Sequence, residues 1–549
     1  MNKVNQLLGN IRNVYAQHSI CVCFIAMAVF VRLFFWIYTG RVWEDAVITL
    51  VPVKNFWLGN GLTHHLTEPR VHSFTSPISM LIPLLGESIH QGLFLLRLTA
   101  VLAGAWSIYY AYRVGQFLKF HWAAQILLLS YLAFDQLQVF FGMTGMETQV
   151  ATAIFLGNVY YLFKEKWLLL GVFSGLGLLA RPEFAIWLPL LGIYMIIFHR
   201  EGILSFLLAF LCMSLPWYIF AHLYYGSIIP NTIIAKSSIV YFGNSLKDHL
   251  IASSCYFIDS WKNIAPFLEW RFLRRMPIPY VLAELAAFGV LIFALLGVRR
   301  AFKEKEWRLL ALFSILMIFV IYRSLFLINP YYMWYLPPFA ALLFLIAAYG
   351  LSSIVQKSKL YVVLSFFIVL MYAIHMPFSF AVEKQVQKKV ECGARLKTGV
   401  ILNSMMGESD TVVLEPLGYI GYGAFNKTTY DFPGLSSKVV VNTMRTMKSR
   451  GLVDLIAKLK PSFIVLRPIE HGALQFFYPE VAKNYKSVAH IRAQDDQSLA
   501  KWGYSSKDNL YSDGDFSIYQ RIFPQTELGS EISFTKNIDH KTYEFCRDL

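Results

Sequence analysis

The chain has 549 residues, of which 56% are hydrophobic, 16% aromatic and only 15% charged, and its formal net charge is +15. With a mean hydropathy of +0.49, this composition excludes an ordinary soluble globular protein and places the chain in a bilayer. Much of the basic excess sits in short loops between apolar runs, where the bias toward positive cytoplasmic loops expects it, so the charge implies no nucleic-acid partner.

A span needs roughly 20 mostly apolar residues to cross about 30 Å of hydrocarbon. Taken in chain order, the apolar runs predict spans near 20–38, 91–112, 122–139, 148–163, 167–180, 184–198, 202–222, 279–298, 309–328, 334–354 and 360–379, about eleven in all. No small-residue cleavage site follows the first run, which therefore reads as an uncleaved anchor. With the N-terminus cytoplasmic, Arg113, Lys119, Lys164, Lys166, Arg200, the basic loop 299–308, Lys357 and Lys359 share one side. The odd number of spans then sends residues 380–549 outside. The run "ISMLIPLLGE" (78–87) is too short to cross and is expected to lie against the outer face.

The polar motifs collect on that outer side: "WEDA" (43–46), "GMTGMETQ" (142–149), "ARPEF" (180–184), "GSIIPNTIIAKS" (226–237) and "INPYYMWYLPP" (328–338). A transporter or channel instead tends to spread polar groups at mid-depth along its pathway. Glu44 and Asp45 end the first outer approach to the membrane. A carboxylate there either caps and solvates a helix start or takes a proton from an attacking hydroxyl as general base. The surrounding loop carries His64, His65, Arg70 and His72.

Cations suited to a departing phosphate are Arg181, Lys236, Arg70 and Arg323. Arg323 lies within the outer end of an apolar span and is read either as snorkelling to the interface or as functional; for Arg97 snorkelling is expected. "YYMWY" (331–335) suits an interfacial aromatic belt and equally a platform for a sugar ring. The histidine spacing matches no zinc signature, so no metal ligand is assigned and no cofactor is required; a hard divalent cation on Glu44 or Asp45 is the residual metal alternative. No P-loop and no dinucleotide glycine signature occurs. Cys21, Cys23 and Cys212 lie in spans as small apolar residues. Cys392 and Cys546 bracket the tail and can close it with a disulfide in an oxidising compartment, leaving Cys255 unpaired.

The tail alternates strand-like runs, "DTVVLEPL" and "PSFIVLRP", with the helix-like "VVVNTMRTMKSRGLVDLIAKLK", which predicts a small α/β domain. It serves either as a structural cap or, through "YDFPGL" around Asp431, as a contact for acceptor glycan.

The order "EDAVITL", "GNGL", "SFTSPI" resembles the first outer loop of polyprenyl-phosphate-sugar dependent glycosyltransferases of the GT-C superfamily, which often read D-D-A-Y-I-T, G-x-G-L, G-[YF]-T-[NS]-P. The nearest resemblance is to the bacterial arabinofuranosyltransferase-like branch. "GMETQV" is similar to its G-[LM]-E-T, "ARPEF" to [TA]-R-P-[ED], "PNTIIAKS" to P-N-T-x-x-A-K, and "NPYYMWYLPP" to R-Y-Y-x-P. The tail stretch 411–435 is similar to the G-x-I-x-Y…D-x-x-G-L element of the branch's outer domain. Glu44 stands where the first aspartate is usual and Val47 replaces the usual tyrosine.

The resemblance implies a GT-C-like membrane module of about 11 transmembrane helices over 1–379, with outer loops 39–90 and 223–278, followed by a periplasmic α/β domain over 380–549. It implies inverting transfer of a sugar, with a pentofuranose such as arabinofuranose as the candidate, from polyprenyl phosphate to a cell-envelope glycan or glycolipid at a bacterial inner membrane. Asp45 is then the base, assisted or oriented by Glu44. Arg181 and Lys236, with Arg70, Tyr332 and Arg323, meet the donor phosphate. Glu147, Asn231, His64, His65 and Tyr331 hold sugar or acceptor, or fix those cations. The alternative class is a membrane transporter or lipid-linked-sugar flippase, which tolerates loss of Asp45 and is sensitive to mid-span polar groups.

Overall fold

Inside a bilayer no water is available to the backbone, so an apolar run satisfies its N–H and C=O groups internally, as helix. The computed structural model describes residues 2–237, 280–326, 333–355, 358–447, 451–493 and 513–522, with the single positions 247, 251, 254 and 546. All eleven expected segments are helical over their described parts, and the chain is a polytopic helical membrane protein with a C-terminal α/β region. Among the described residues seven helices are long and apolar enough to cross: Ser19–Thr39, Gly92–Phe117, Trp122–Met143, Arg200–Tyr225, Leu285–Glu304, Trp307–Leu325 and Met333–Ile354. Three of the other four expected segments are shorter. Thr148–Phe163 and Trp167–Ala180 have 16 and 14 residues, which at about 1.5 Å per residue fall short of a full crossing. Pro182–Phe198 is likewise short, whereas the last expected segment, 360–379, lies within the 27-residue helix Lys359–Gln385. Helix Pro77–Glu87 forms where the non-crossing run was expected.

The chain folds as two compact units. The first comprises residues 1–38, 96–217 and 241–380. Helices Trp122–Met143 and Met333–Ile354 are its most buried spans, as expected of helices apolar all round. Tyr131 stacks on Phe344 at 4.2 Å and Phe319 on Phe339 at 3.6 Å. Gly297 and Gly350 allow helices Tyr280–Glu304 and Leu336–Ile354 to touch backbone to backbone: a Cβ on Gly350 would stand 2.0 Å from the Phe293 oxygen. Arg32, mid-span and fully buried, donates from Nη2 to Gln149 Oε1 at 2.6 Å and to the Leu132 carbonyl at 2.9 Å.

The expected snorkelling of Arg97 is corrected. Its side chain is only 6% exposed, with Nε donating to the Met143 carbonyl at 3.3 Å and the guanidinium 5.6 Å from the Trp36 ring centre. Arg323 is 3% exposed and does not snorkel either. Hydropathy reports depth along a helix and not which side faces protein.

The second unit comprises residues 39–95, 218–240 and 381–549, so the first outer loop folds with the tail. A π-helical stretch, Val386–Leu396, leads into helix Lys397–Met405. Five strands follow: β1 (Thr411–Leu414), β2 (Thr428–Asp431), β3 (Phe463–Leu466), β4 (Tyr485–Arg492) and β5 (Asp515–Arg521), in sheet order β2-β1-β3-β5-β4. β1 runs parallel to β2 and β3, and β5 is antiparallel to β3 and β4. β1 and β3 are the two strands the sequence predicts. The long helical run between them is two helices, Lys438–Thr446 and Leu452–Leu459; the second starts at Gly451, whose N–H donates to Asp454 Oδ2 at 2.8 Å. Val413, Ile464, Leu466, Val440, Met444, Leu455, Ile456 and Leu474 form the core beside the sheet. Cys392 and Cys546 are joined in a disulfide with Cα atoms 5.8 Å apart; Cys255 lies outside the described residues.

Candidate active site

Asp45 lies in the first turn of helix Glu44–Trp57, half-buried, and both acids of that turn complement the positive end of the helix dipole. The N-cap, Trp43, makes no side-chain capping hydrogen bond. Glu44 turns toward the tail and pairs with Arg395 Nη1 at 3.3 Å. It packs on Gly418, where a Cβ would stand 2.2 Å from the Glu44 carbonyl oxygen and 2.6 Å from Oε1. Burial pushes the Glu44 carboxyl up to about 8, Arg395 pulls it down, and Glu391 and Asp45 push it further up. The two adjacent acids therefore face different surroundings, and Glu44 is committed to a protein cation.

That cation belongs to a chain of charges. Arg41 pairs with Glu383 at 2.8 Å and with Glu391 at 2.9 Å; Glu391 also pairs with Arg395 at 3.0 Å. Arg395 reaches Asp513, which pairs with Arg467 at 2.6 Å, and Arg467 holds Glu415 and Glu470. Acids outnumber arginines here, so proton uptake is the way to relieve their repulsion. Accordingly burial raises the Glu383 and Glu470 carboxyls as well as Glu44, against the pull of Arg41 and Arg467. Val42 is gripped twice, its N–H donating to Gln387 Oε1 at 3.0 Å and its carbonyl accepting from the Tyr419 hydroxyl at 3.1 Å.

The histidine loop is stitched to the turn after β2. Ser436 Oγ donates to Asp431 Oδ1 at 2.6 Å and lies 3.0 Å from His65 Nε2. With that hydroxyl proton on Asp431, His65 must carry its own proton on Nε2 and donate. Burial holds the His65 imidazole down at about 4 and, with His65 beside it, keeps His64 well below its ordinary value, so both are neutral at physiological pH. Glu68 accepts from Ser437 Oγ at 2.7 Å and from the Lys438 N–H at 3.1 Å, at the start of a helix. Asn231 spends Nδ2 on the Gly434 and Leu435 carbonyls, at 2.7 and 3.2 Å. It is thereby a strut of the tail turn. Asp431 is fully buried and also accepts from the Leu435 and Ser436 amides. The Asp431 carboxylate is therefore spent on the turn. Arg70 is exposed, its guanidinium 4.6 Å from the Tyr224 ring centre. Lys236 is half-buried near the end of helix Asn231–Ser237. Among the described residues no three His, Cys, Asp or Glu side chains converge as a metal site.

In the other unit three motifs far apart in sequence meet. Arg181 Nη2 contacts Glu147 Oε1 at 2.9 Å, Thr148 Oγ1 at 2.9 Å and the Trp334 carbonyl at 3.2 Å, and its guanidinium lies 5.0 Å from the Tyr335 ring centre. The pair is buried, and Arg181 Nε has no hydrogen-bond partner among the described residues. Glu147 is thus paired with Arg181. Arg181 ends helix Trp167–Ala180 in extended backbone just before Pro182. Arg323 is in the last turn of Trp307–Phe326. Tyr331 and Tyr332 lie outside the described residues.

Sequence reading did not single out Arg41, Glu383, Glu391, Arg395, Glu68 or Ser436. One local signal existed: Glu391 and Arg395 stand four apart in an amphipathic run, the spacing of a helical ion pair.

A family model described as a domain of unknown function, DUF8728, matches residues 379–519. No curated protein matches the sequence. ArnT from Cupriavidus metallidurans in the apo state is similar in structure with a TM-score of 0.51 at 12% identity, over 93% of this chain and 100% of that one. The same protein bound to undecaprenyl phosphate scores 0.48 at 10% identity, over 92% and 99%. The arabinofuranosyltransferase AftD from Mycobacteria scores 0.49 at 15% identity, over 92% of this chain and 40% of that one. The fold is thus shared with ArnT over nearly the whole chain.

Proposed function

We propose that the protein is an inverting glycosyltransferase that moves a sugar from a polyprenyl-phosphate carrier to an acceptor hydroxyl on the outer side of the membrane. The observation that carries the reading is the placement of Asp45: a half-buried acid in the first turn of a helix, beside an acid already committed to Arg395, in a chain with the fold of ArnT. Asp45 accepts the proton of the acceptor hydroxyl as its oxygen bonds to the anomeric carbon. The bond from that carbon to the phosphate oxygen breaks, and polyprenyl phosphate leaves with the electron pair. Arg181, held by Glu147 and Thr148 with its Nε uncommitted, is the cation assigned to that anion, with Lys236 and Arg70 as further positive charge. His64 and His65, neutral, are suited to hydroxyls. The donor sugar is proposed as a pentofuranose such as arabinofuranose, the acceptor as an envelope glycan or glycolipid, and the site as the periplasmic face of a bacterial inner membrane.

The test is purified protein in nanodiscs with polyprenyl-phosphate sugars and candidate acceptors, wild type beside Asp45→Asn, following polyprenyl phosphate by mass spectrometry with and without EDTA. Release is expected to fall at least about 100-fold in the variant and to survive EDTA, since Glu44 is bound to Arg395. No release with any donor, or equal release by both proteins, refutes the reading.

A further inference from the structure

The residues that precede Asp45 are held one after another by the tail. Arg41 is fixed by Glu383 and Glu391, Val42 by Gln387 and Tyr419, and Glu44 by Arg395 and the close approach of Gly418. All these residues belong to one compact unit. No side-chain capping hydrogen bond is made at the start of helix Glu44–Trp57, so its position is set by these distant contacts on the residues just before it and on Glu44. Arg395 is the junction: Nη1 serves both Glu44 and Glu391, and Nη2 reaches Asp513. Its guanidinium ties the helix start to the π-helical stretch and to the loop before β5. A general base has to lie within hydrogen-bond reach of the proton it takes, and small displacements of a reacting group are costly.

We propose that Arg395 is a positioning residue for the transfer reaction: through Glu44, and through Glu391 and Arg41, it fixes the first turn of helix Glu44–Trp57 and so holds the Asp45 carboxylate where the acceptor hydroxyl is deprotonated. This rests on the transferase reading. It gives the tail a part in the chemistry rather than a covering role alone. Arg395 touches neither reacting partner; it acts through Glu44.

The experiment uses full-length protein in nanodiscs: wild type, Arg395→Met and Arg395→Lys. Hydrogen exchange is read over residues 42–49, and kcat and donor KM are read from polyprenyl phosphate release. Arg395→Met is expected to speed exchange over 42–49 and leave Thr148–Phe163 unchanged, and to lower kcat by about 100-fold with donor KM constant within about twofold. Arg395→Lys, which keeps the charge and loses the fork, is expected to recover part of kcat. Because Arg395→Met leaves buried acids without their cation, Glu391→Gln is the second variant, isosteric and expected to give the same split at smaller amplitude. Unchanged exchange in Arg395→Met and Glu391→Gln overturns the proposal. So does faster exchange with intact kcat, or a rise in KM with kcat intact, which would make Arg395 a binding residue. Faster exchange in the variants alongside an inactive wild type supports the positioning contact and overturns the transferase reading alone.

Discussion

Glu44→Gln keeps the shape of the side chain and removes its titration. In the fold, burial lifts the Glu44 carboxyl from 4.5 to about 8, Arg395 and the Gly418 amide oppose the rise, and Glu391 and Asp45 add to it. A carboxyl raised in this way binds its proton more tightly folded than unfolded. Its contribution to stability is therefore fully present below the unfolded value of 4.5 and is lost as pH climbs to about 8, with no further loss beyond. At about 1.4 kcal/mol per pH unit the ceiling for this one group is about 5 kcal/mol, on the order of 10 °C in the midpoint of a unit this size. Other groups titrate over the same range. Glu383, Glu470, Asp431 and Glu68 are also raised by burial and lose stability in the same direction, whereas buried His64 and His65 are lowered and gain stability as pH rises. All of these remain in the variant, so the difference between the two proteins isolates Glu44. Tryptophan-fluorescence melts in detergent, at one scan rate and from pH 5 to 9, supply it. The wild-type midpoint is expected to fall relative to Glu44→Gln up to about pH 8, at about 1.4 kcal/mol per pH unit at most, and then to run parallel. Curves parallel throughout would refute the buried, proton-holding environment assigned to Glu44.

Glu147→Gln leaves Arg181 buried without its carboxylate, and a loss of about 3 kcal/mol is expected from breaking such a pair; a melting midpoint equal to wild type would show the pair to be effectively solvated. Gly418→Ala drives a Cβ to 2.2 Å from the Glu44 carbonyl oxygen, and the forced backbone shift is expected to cost about 1–3 kcal/mol and to lower kcat. Gly421→Ala is the control, since its Cβ would meet the Leu417 Cδ1, the far end of a flexible side chain, at 2.8 Å; equal melts and equal kcat for the two alanine variants would contradict the close approach at Gly418.

Much of the fold was legible because its signals are local. Apolar run length gave the helices, short strand-like apolar runs gave β1 and β3, and the order of short motifs pointed to a membrane fold of the kind shared with ArnT. What was illegible is what joins residues far apart. Arg41 and Glu383 are 342 positions apart, and Arg395 and Glu44 are 351. No window of hydropathy or propensity connects such pairs. The same limit explains Arg97 and Arg323, whose depth along a span was readable while the packed side of the helix was not. Asn231 was read as a ligand for sugar or cation from its motif, and its amide is instead occupied by the turn after β2. In Glu147 and Arg181 the motif reading and the structure meet, because both lie at helix ends that the sequence marked by polarity and proline.

The sheet explains why the first loop needs the tail. Parallel strands β2, β1 and β3 end together at Asp431, Leu414 and Leu466. In open α/β sheets the crevice at such carboxyl ends is where ligands ordinarily bind. Here the segments that leave those ends hold the chain's own loop: the one after β1 carries Gly418 and Tyr419 to Glu44 and Val42, and the one after β2 carries Ser436 and Ser437 to His65 and Glu68. Residues 58–76 have no regular secondary structure, so ordering them costs about 1–2 kcal/mol per residue in backbone entropy with no ladder in return. Their buried polar groups still need partners. The strand ends supply partners for two of them: Ser436, itself held by the carboxylate of Asp431, meets His65, and a helix start meets Glu68. A segment bearing Asp45 and two neutral histidines is thereby held at the strand ends of the tail's sheet, and the placement of Asp45 is a property of the tail as much as of the helix that bears it.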